Sequence, residues 1–430
     1  MTSEWLLYQV SDLLTSGDIL IGDGYRAKNE ELSPQGIPFA RAGNINGGFN
    51  FEGTDCFPEK DLYKLGNKIS QPGDVVFTSK GTVGRFAFVT EDTQSFVYSP
   101  QLCFWRSLNR ALIEPRYLYY WMMGLEFFHQ YNSVKGQTDM ADYVSLSDQR
   151  RMYITLPSIH EQNSIVDILR SLDDKIELNH RMNTTLEESA RALFKSWFVD
   201  FDPVRAKMEG RQPEGIDAET AALFPDRLVE STLGMIPEGW GMSSLSETID
   251  IIGGGTPKTS NPEFWDGSIP WFSVTDLPSS GDIFVIDTEK KITQDGLNNS
   301  STRMLPYGTT IITARGTVGK VALVGVPMTM NQSCYGISGK ANYYTFFRLQ
   351  SATAELKRNT HGTVFDTITK NTFDQIQIAI PSHEIIARFE AQVAPNLELM
   401  LTNLRLSRTL TATRDSLLPK LLSGEVRVKK

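Results

Sequence analysis

The stretch TSKGTVGRFAFV, Thr78–Val89, returns later in the chain as TARGTVGKVALV, Thr313–Val324. The two copies lie 235 positions apart (313 − 78), and seven of their twelve positions are identical. Lysine and arginine exchange places but the charge is kept, as at Lys80 and Arg315. One Gly-Thr-Val-Gly turn would be weak evidence, because glycines serve many tight turns. A second copy half a chain away predicts an internal duplication.

The duplication extends outward from this phrase in the same order in both halves. The further matched pairs are GIPFARAGNI (36–45) with SIPWFSVTDL (268–277), SPQLCFW (99–105) with NQSCYGI (331–337), and PRYLYYWM (115–122) with NYYTFFRL (342–349). Each Gly-Thr-Val-Gly turn joins two apolar runs, which predicts a β-hairpin. The last pair predicts a helix, with proline in the first turn of the first copy. We therefore predict two copies of one globular α/β (mixed α+β) module.

A long helix with a heptad-like apolar stripe is predicted after each module. The stripe residues are Ile165, Leu169, Leu172 and Ile176 in the first helix, and Val393, Leu397, Met400 and Leu404 in the second. Asn179 and Asn183 add polar layers to the first stripe. Such a stripe needs a partner, so we expect the two helices to pair with each other. The alternative is two amphipathic helices, each packed on its own module.

The second stripe is less regular than the first. Pro395, Ser407 and Arg414 interrupt it. Aligning Ile176 with Leu397, an offset of 221, places Pro395 opposite Asp174. Next to the modules, Glu384-Ile385 is taken to correspond to Glu161-Gln162.

These patterns predict a linear order of domains. The predicted boundaries are 1–157 for the first module, 158–200 for the first long helix, 201–240 for a connector, 241–381 for the second module, 382–424 for the second long helix and 425–430 for a basic tail. The connector is rich in Pro, Gly and acidic residues, and lacks sustained periodicity. We expect it to pack locally through Phe198, Phe201, Phe224 and Trp240.

Composition limits the class of protein. A chain of 430 residues with 40% hydrophobic residues can form two or three folded domains. Its first residues lack the basic and apolar regions of a signal peptide, and no apolar run reaches membrane-spanning length. The three cysteines are widely spaced, which favours reduced thiols. We therefore expect a cytoplasmic protein that makes no use of a membrane.

The net charge of −9 is distributed unevenly. Residues 209–250 hold nine acids and two bases, whereas residues 301–360 hold seven bases and one acid. Residues 401–430 hold seven bases and two acids. Local fields of this kind can attract a phosphate backbone although the total charge is negative. Solvated charged faces are the alternative.

No catalytic or metal motif is evident in the sequence. The five histidines show no metal-ligand spacing. The run GGGT (253–256) matches no phosphate-binding loop and is expected to be structural. NPEF (261–264) lacks the second proline of the NPPY or NPPF loop of amino-methyltransferases, and no glycine-rich cofactor loop precedes it. We expect no catalytic residue, metal or cofactor in this chain.

Basic and amide side chains near the turns are the candidates for nucleic-acid binding. Cations and hydroxyls beside glycine turns suit phosphate, and amides can bind base edges bidentately. The candidates are Arg41, Asn44, Asn46, Lys80, Thr82, Arg85, Gln101 and Lys135 in the first half, and Lys258, Arg315, Thr317, Lys320, Asn331 and Gln332 in the second. Each could also be an ordinary solvated or turn-forming residue, but their recurrence in two copies favours a shared role.

The run from LPSIHEQ (156–162) through LDDKIELN (172–179) to LFKSWFVDFDPVR (193–205) carries a family resemblance. With the second module, nearly the whole chain resembles the specificity subunits of type I restriction–modification systems. The resemblance implies that each module is a target-recognition domain for one half of a bipartite, asymmetric site in double-stranded DNA. It also implies that the helices form an antiparallel coiled coil that sets the spacing of the half-sites.

The same resemblance implies the partners. Two methyltransferase (modification) subunits and the restriction (motor–nuclease) subunits would join this chain, and S-adenosylmethionine, ATP and Mg would be bound by those partners. Two alternatives remain from other classes. One is a self-sufficient DNA adenine methyltransferase or fused restriction enzyme, which would need a cofactor loop. The other is a coiled-coil scaffold that binds protein, which would lack salt-dependent DNA affinity.

Overall fold

A computed structural model of the chain describes residues 5–80, 84–134, 144–278, 281–359 and 367–428. The chain divides into two compact units. The first unit comprises Met1–Asp174 with Leu410–Lys430, and the second comprises Lys175–Thr409. Each unit therefore contains one module, the start of the helix that follows it, and the end of the other long helix.

The first module combines three small sheets with short helices. Its strands are β1 (Leu6–Gln9), β2 (Ile19–Asp23), β3 (Ile37–Ala40), β4 (Cys56–Phe57), β5 (Asp74–Thr78), β6 (Phe86–Phe88), β7 (Val97–Tyr98), β8 (Leu102–Ser107) and β9 (Tyr153–Leu156). Its helices are α1 (Val10–Thr15), α2 (Pro115–Met122), α3 (Leu125–Val134) and α4 (Leu146–Arg151). The strand orders are β2-β8-β5-β6, β4-β3-β7 and β1-β9. Trp105, Tyr117 and Trp121 fill the core beneath the largest sheet.

A long helix and the connector follow the first module. Helix α5 (Ile159–Lys195) continues as a π-helical turn, Ser196–Asp200. The connector forms α6 (Asp202–Met208), α7 (Ala218–Leu223) and a hairpin of β10 (Leu228–Ser231) and β11 (Gly234–Pro237). These elements are too short to give a periodic sequence pattern.

The second module repeats the first. Its strands are β12 (Gly241–Ser244), β13 (Ile249–Gly253), β14 (Trp265–Phe272), β15 (Phe284–Val285), β16 (Lys291–Ile292), β17 (Thr310–Thr313), β18 (Val321–Val324), β19 (Thr329–Met330), β20 (Cys334–Gly339) and β21 (Gln377–Ile380). Its helices are α8 (Gln294–Asn298), α9 (Asn342–Asn359) and α10 (Lys370–Gln375), and α11 (His383–Leu422) follows. The strand orders are β13-β20-β17-β18-β15, β16-β14-β19 and β12-β21. The duplicated mixed α/β architecture is thus confirmed.

The repeated phrase forms the same hairpin in both modules, β5–β6 and β17–β18. The Gly84 N–H donates to the Thr78 carbonyl at 3.3 Å, and the Gly319 N–H donates to the Thr313 carbonyl at 2.8 Å. The Thr78 hydroxyl oxygen accepts from the Arg85 N–H at 3.1 Å, and the Thr313 hydroxyl oxygen accepts from the Lys320 N–H at 3.0 Å. The threonine side chain therefore closes the turn, which explains why it occurs in both copies.

The GGGT run is a site of close backbone approach. A Cβ on Gly254 would lie 1.8 Å from the Asn331 carbonyl oxygen, and a Cβ on Gly24 would lie 2.0 Å from the Ser99 carbonyl oxygen. Because they have no side chain, Gly24 after β2 and Gly254 after β13 let the chain pass close to a turn. This turn precedes β8 in the first module and β20 in the second. The expectation of a structural loop agrees with this packing.

The two long helices run antiparallel. In the second unit, Asn179 donates to the Ser407 hydroxyl at 3.1 Å, and the Phe194 and Phe389 rings lie 5.7 Å apart. Residue numbers thus rise along α5 as they fall along α11. In the first unit, Arg414 contacts Asp173 at 2.8 Å, and the ends of the helices share one apolar core. The antiparallel coiled coil is therefore a feature of this fold.

The stripe residues occupy both buried and half-buried positions. Ile165, Leu169, Val393, Leu397 and Met400 are buried, and Leu172, Ile176 and Leu404 are half-buried. Helix α11 runs through Pro395 without a break, although proline lacks the N–H for one intrahelical hydrogen bond.

The predicted helix alignment with an offset of 221 was wrong. The Ser158 hydroxyl accepts from the Glu161 N–H, and the Ser382 hydroxyl accepts from the Ile385 N–H. These matching helix starts give an offset of 224 (382 − 158). The predicted match of Glu161-Gln162 with Glu384-Ile385 was therefore wrong by one residue, and Gln162 corresponds to Ile386. A helix shifted by three residues presents nearly the same apolar face, and the stripe alone could not detect the error. Pro395 then corresponds to Ser171.

The connector packs more widely than predicted. Phe198, Phe201, Phe224 and Trp240 are buried in one core of the second unit. The Phe198 ring lies 5.2 Å from Phe389 of α11 and 5.0 Å from Tyr344 of α9. Connector, module and long helix therefore form a single apolar core.

Candidate nucleic-acid interface

In the first module, three candidate side chains gather around one backbone segment. The Gln101 side-chain oxygen accepts from the Ala42 N–H at 3.0 Å, and Arg85 Nη1 donates to the Ala42 carbonyl at 3.4 Å. The Ser79 N–H donates to the Gln101 carbonyl at 2.9 Å, which brings the adjacent Lys80 to the same edge. The hairpin, the turn before β8 and the loop after β3 thus form one surface.

The second module brings its loops together in a related way. The Ala314 N–H, beside Arg315, donates to the Ser333 carbonyl at 2.8 Å. The Gln332 side-chain oxygen accepts from the Thr256 hydroxyl, which draws the loop that carries Lys258 to the same turn. In both modules the hairpin therefore adjoins the turn before β8 or β20. The loop that joins them differs, because it follows β3 in the first module and carries Lys258 in the second.

Most of the candidate cations that the structure describes have no acidic partner among the described residues. Lys80, Lys258, Arg315 and Lys320 are exposed and Arg85 is half-buried. Among the described residues, no carboxylate oxygen lies within 4.0 Å of their charged nitrogens. Unpaired surface cations beside a hairpin are suited to phosphate contact.

Arg41 differs from the other candidate cations. Its Nη2 lies 2.9 Å from an oxygen of Asp55, and its side chain is 42% exposed. An exposed ion pair of this kind contributes little stability, so the pair can open to admit another anion. Part of the Arg41 charge is nevertheless compensated within the module.

Several candidate amides already serve their own loops. Asn44 accepts from the Arg41 N–H at 2.7 Å, and both of its amide hydrogens donate at 2.8 Å to Asn50 and Thr54. Asn331 accepts from the Ser333 N–H at 2.9 Å. Base contacts by Asn44 would require exchange of these bonds.

The remaining candidates have other positions. Asn46 and Thr317 are exposed, and the Thr317 carbonyl accepts from the Thr313 hydroxyl. Thr82 and Lys135 lie outside the described residues. Sequence reasoning missed the turn-closing hydroxyls of Thr78 and Thr313, although their identity in the repeated phrase was the available signal.

A buried ion pair that the sequence did not reveal supports the first module. Arg106 Nε and Nη2 lie 2.5 and 2.8 Å from the two oxygens of Asp74, and the Tyr98 hydroxyl donates to Asp74 at 2.6 Å. Burial and the neighbouring carboxylate raise the pKa of Tyr98 well above its ordinary value. This network anchors β5 to β8 directly behind the candidate loops.

The described part of the chain offers neither a metal site nor a membrane span. No group of three or more His, Cys, Asp or Glu side chains there is arranged to hold a metal ion. No helix there combines the length and apolarity that a membrane span requires.

Fold and site together define a class of chain in which two copies of one module present cation-bearing loops and are joined by paired helices. Residues 2–188 and 237–397 match the family model "Type I restriction modification DNA specificity domain". The chain therefore belongs to this family, the family of specificity subunits of type I restriction–modification systems.

Known relatives agree with this assignment. The type I restriction enzyme HindI specificity subunit of Haemophilus influenzae is 30% identical over 413 residues, covering 85% of this chain and 89% of that protein. The EcoR124I/EcoR124II specificity subunit of Escherichia coli is 26% identical over 64% of this chain and 60% of that protein. The crystal structure of the type I S subunit from M. genitalium superposes with a TM-score of 0.55 at 14% identity, covering 97% of this chain and 96% of that one. That superposition supports the fold.

Proposed function

We propose that this chain recognises a bipartite, asymmetric site in double-stranded DNA, with one half-site read by each module. The supporting observation is a duplicated hairpin that presents Lys80 and Arg315 at equivalent positions, while the adjoining loops differ. At the position of Asn44 the second module has Asp276, which makes the same backbone bond, to the Ser273 N–H at 2.8 Å. Similar scaffolds with different loops suit two different half-sites, whereas a symmetric dimer requires a palindrome.

We further propose that the chain is a non-catalytic, cytoplasmic assembly subunit. Two methyltransferase subunits and the motor–nuclease subunits would dock on it, and S-adenosylmethionine, ATP and Mg would be bound by those partners. The family assignment supports this proposal, as does the lack of a recognisable cofactor loop in the sequence. Measurable S-adenosylmethionine binding by the purified chain alone would favour a self-sufficient methyltransferase instead.

The decisive test is an exchange of modules. Residues 1–157 are replaced by the matching module of another specificity subunit, and methylated adenines are mapped in a genome that expresses the hybrid with its methyltransferase partner. We expect one half-site to change and the other to stay. The reciprocal exchange of 241–381 is the matched control and should change the opposite half-site. A simultaneous change of both half-sites would contradict independent reading.

A further inference from the structure

An open groove lies within the second unit. Its volume is about 960 Å³, a size typical of ligand sites. The face of the β12–β21 pair forms its floor, and the first turns of α9 and α11 form its walls. Its lining includes Arg348 of α9, Ile378 and Ile380 of β21, and Ile386 and Ala391 of α11.

The first unit fills the corresponding place with its own chain. There Gln162, the counterpart of Ile386, donates to the Leu112 carbonyl at 2.9 Å and accepts from the Glu114 N–H at 3.0 Å. These bonds hold the segment 108–114, which joins β8 to α2. In the second unit only Lys340-Ala341 joins β20 to α9, and an isoleucine replaces the glutamine. The groove is the space that this shorter connection leaves open.

The groove contains the buried guanidinium of Arg348, which forms no ion pair with a carboxylate of the described residues. Glu390 also lines the groove, but it accepts from the Tyr343 and Tyr344 N–H groups at the start of α9. Arg348 is only 8% exposed, and its Nε has no hydrogen-bond acceptor among the described residues. Its Nη2 donates to the Tyr344 hydroxyl at 3.2 Å, and the guanidinium carbon lies 5.1 Å from the centre of the Phe194 ring. Ring contacts offset part of the desolvation of the charge, but a buried unsatisfied donor remains unfavourable.

The first unit has a carboxylate at the matching position. Helices α2 and α9 start at Pro115 and Asn342. Pro115 lies next to Gly73 and Asn342 lies next to Gly308, and each of these glycines precedes the hairpin of its module. This offset of 227 (342 − 115) makes Trp121 the counterpart of Arg348. Trp121 Nε1 donates to the Glu126 carboxylate at 2.9 Å.

The same carboxylate also binds a strand edge. Glu126 accepts from the Thr155 N–H of β9 at 3.1 Å. The counterpart of Thr155 in the second unit is Ala379 of β21 (155 + 224). The bond from the Leu245 N–H to the Ile376 carbonyl sets the alternation of this antiparallel ladder. In this alternation Ala379 belongs to a pair without ladder hydrogen bonds, so its N–H points away from β12. No described residue accepts a hydrogen bond from this N–H.

We propose that the groove of the second unit docks an apolar segment of a partner protein, and that one carboxylate of this segment binds Arg348 Nε and the Ala379 N–H. This carboxylate takes the place that Glu126 holds in the first unit. A polypeptide is the expected occupant, because chain segments occupy the equivalent space in the first unit. An acid is the complementary group, because a charged hydrogen bond between a guanidinium and a carboxylate is strong in a buried site. This docking site is separate from DNA recognition.

The test uses a fluorescein-labelled peptide with the sequence of Gly124–Tyr131, the carboxylate-bearing segment of the first unit. Binding to the full-length chain is followed by fluorescence anisotropy. We expect saturable binding that is weakened about tenfold or more when the peptide carries Glu126→Gln or the protein carries Arg348→Met. Arg388→Met is the matched control, because Arg388 is a half-buried α11 cation that is paired with Glu219 and does not line the groove. This variant should bind the peptide as the wild type does.

A second pair of variants avoids the buried arginine. Ala391→Trp fills the groove from an exposed helix position, whereas Gln392→Trp places the same bulk beside it. Only Ala391→Trp should abolish binding. No saturation up to about 1 mM, or wild-type affinity in either Arg348→Met or Ala391→Trp, would overturn the proposal. Specific DNA binding, measured on the same preparations, should survive both variants, so failure of the groove and failure of DNA recognition are distinguishable.

Discussion

A buried layer of asparagines should determine how the long helices align in the second unit. Asn403 donates to the Asn183 side-chain oxygen at 3.0 Å. Asn183 in turn donates to the Met400 carbonyl at 3.2 Å and to Asp282 at 2.9 Å. Asn179 and Ser407 form the second pair of the layer. With the offset of 224, Asn403 is the counterpart of Asn179 and Ser407 is the counterpart of Asn183. Asn183 and Asn179 therefore each pair with the other's counterpart. Polar layers of this kind specify register in coiled coils.

Replacing Asn183 with leucine, which has a similar shape, removes three hydrogen bonds. At about 1 kcal/mol for each bond, the helix pair should lose about 3 kcal/mol. The penalty is large because Asn403 is left buried with an unsatisfied amide. The double variant Asn183→Leu/Asn403→Leu also removes that amide, so it should recover most of the loss, while the helices become less strictly aligned.

Hydrogen exchange measured by mass spectrometry is the suitable assay, because the two units need not unfold as one transition. Peptides from 175–195 and 383–409 should exchange about a hundredfold faster in Asn183→Leu, and those from 5–80 should not change. Asn163→Leu, at an exposed position of α5, is the control. Unchanged exchange in Asn183→Leu, or a double variant as unstable as the sum of its single changes, would refute the role of the layer.

Three further predictions concern the modules and the helices. Lys80→Ala or Arg315→Ala should weaken binding to all DNA sequences and make the salt slope shallower by about one unit; altered preference at a single base pair with an unchanged slope would mark a base-reading residue instead. Asp74→Ala should leave the Arg106 guanidinium buried and unpaired, and cost the first unit about 3–5 kcal/mol in thermal unfolding, whereas Asp55→Ala at an exposed pair should cost about 0–1 kcal/mol; equal costs would contradict the importance of burial. One heptad inserted at facing positions of both long helices adds about 10 Å, so methylation profiling should show a spacer longer by about three base pairs; an unchanged spacer in an active complex would exclude a ruler.

The sequence alone determined the duplication and the local structures inside it. Identity between Thr78–Val89 and Thr313–Val324 marked equivalent hairpins, because a turn between apolar runs is specified by neighbouring residues. Pro115 marked the start of α2 for the same reason. The family also followed from the sequence, since its signature runs continuously through α5.

Tertiary structure decided everything that depends on contacts between distant segments. An apolar stripe looks nearly the same after a shift of three residues, so only the helix starts at Ser158 and Ser382 could set the offset of 224. The asparagine layer could not be predicted from the apolar stripe, because the stripe does not show that Asn403 contacts Asn183. The groove beside Arg348 arises because a short connection and a straight α9 leave space that the first unit fills. Which side chains meet, and which are left without a partner, depends on packing that local sequence patterns do not encode.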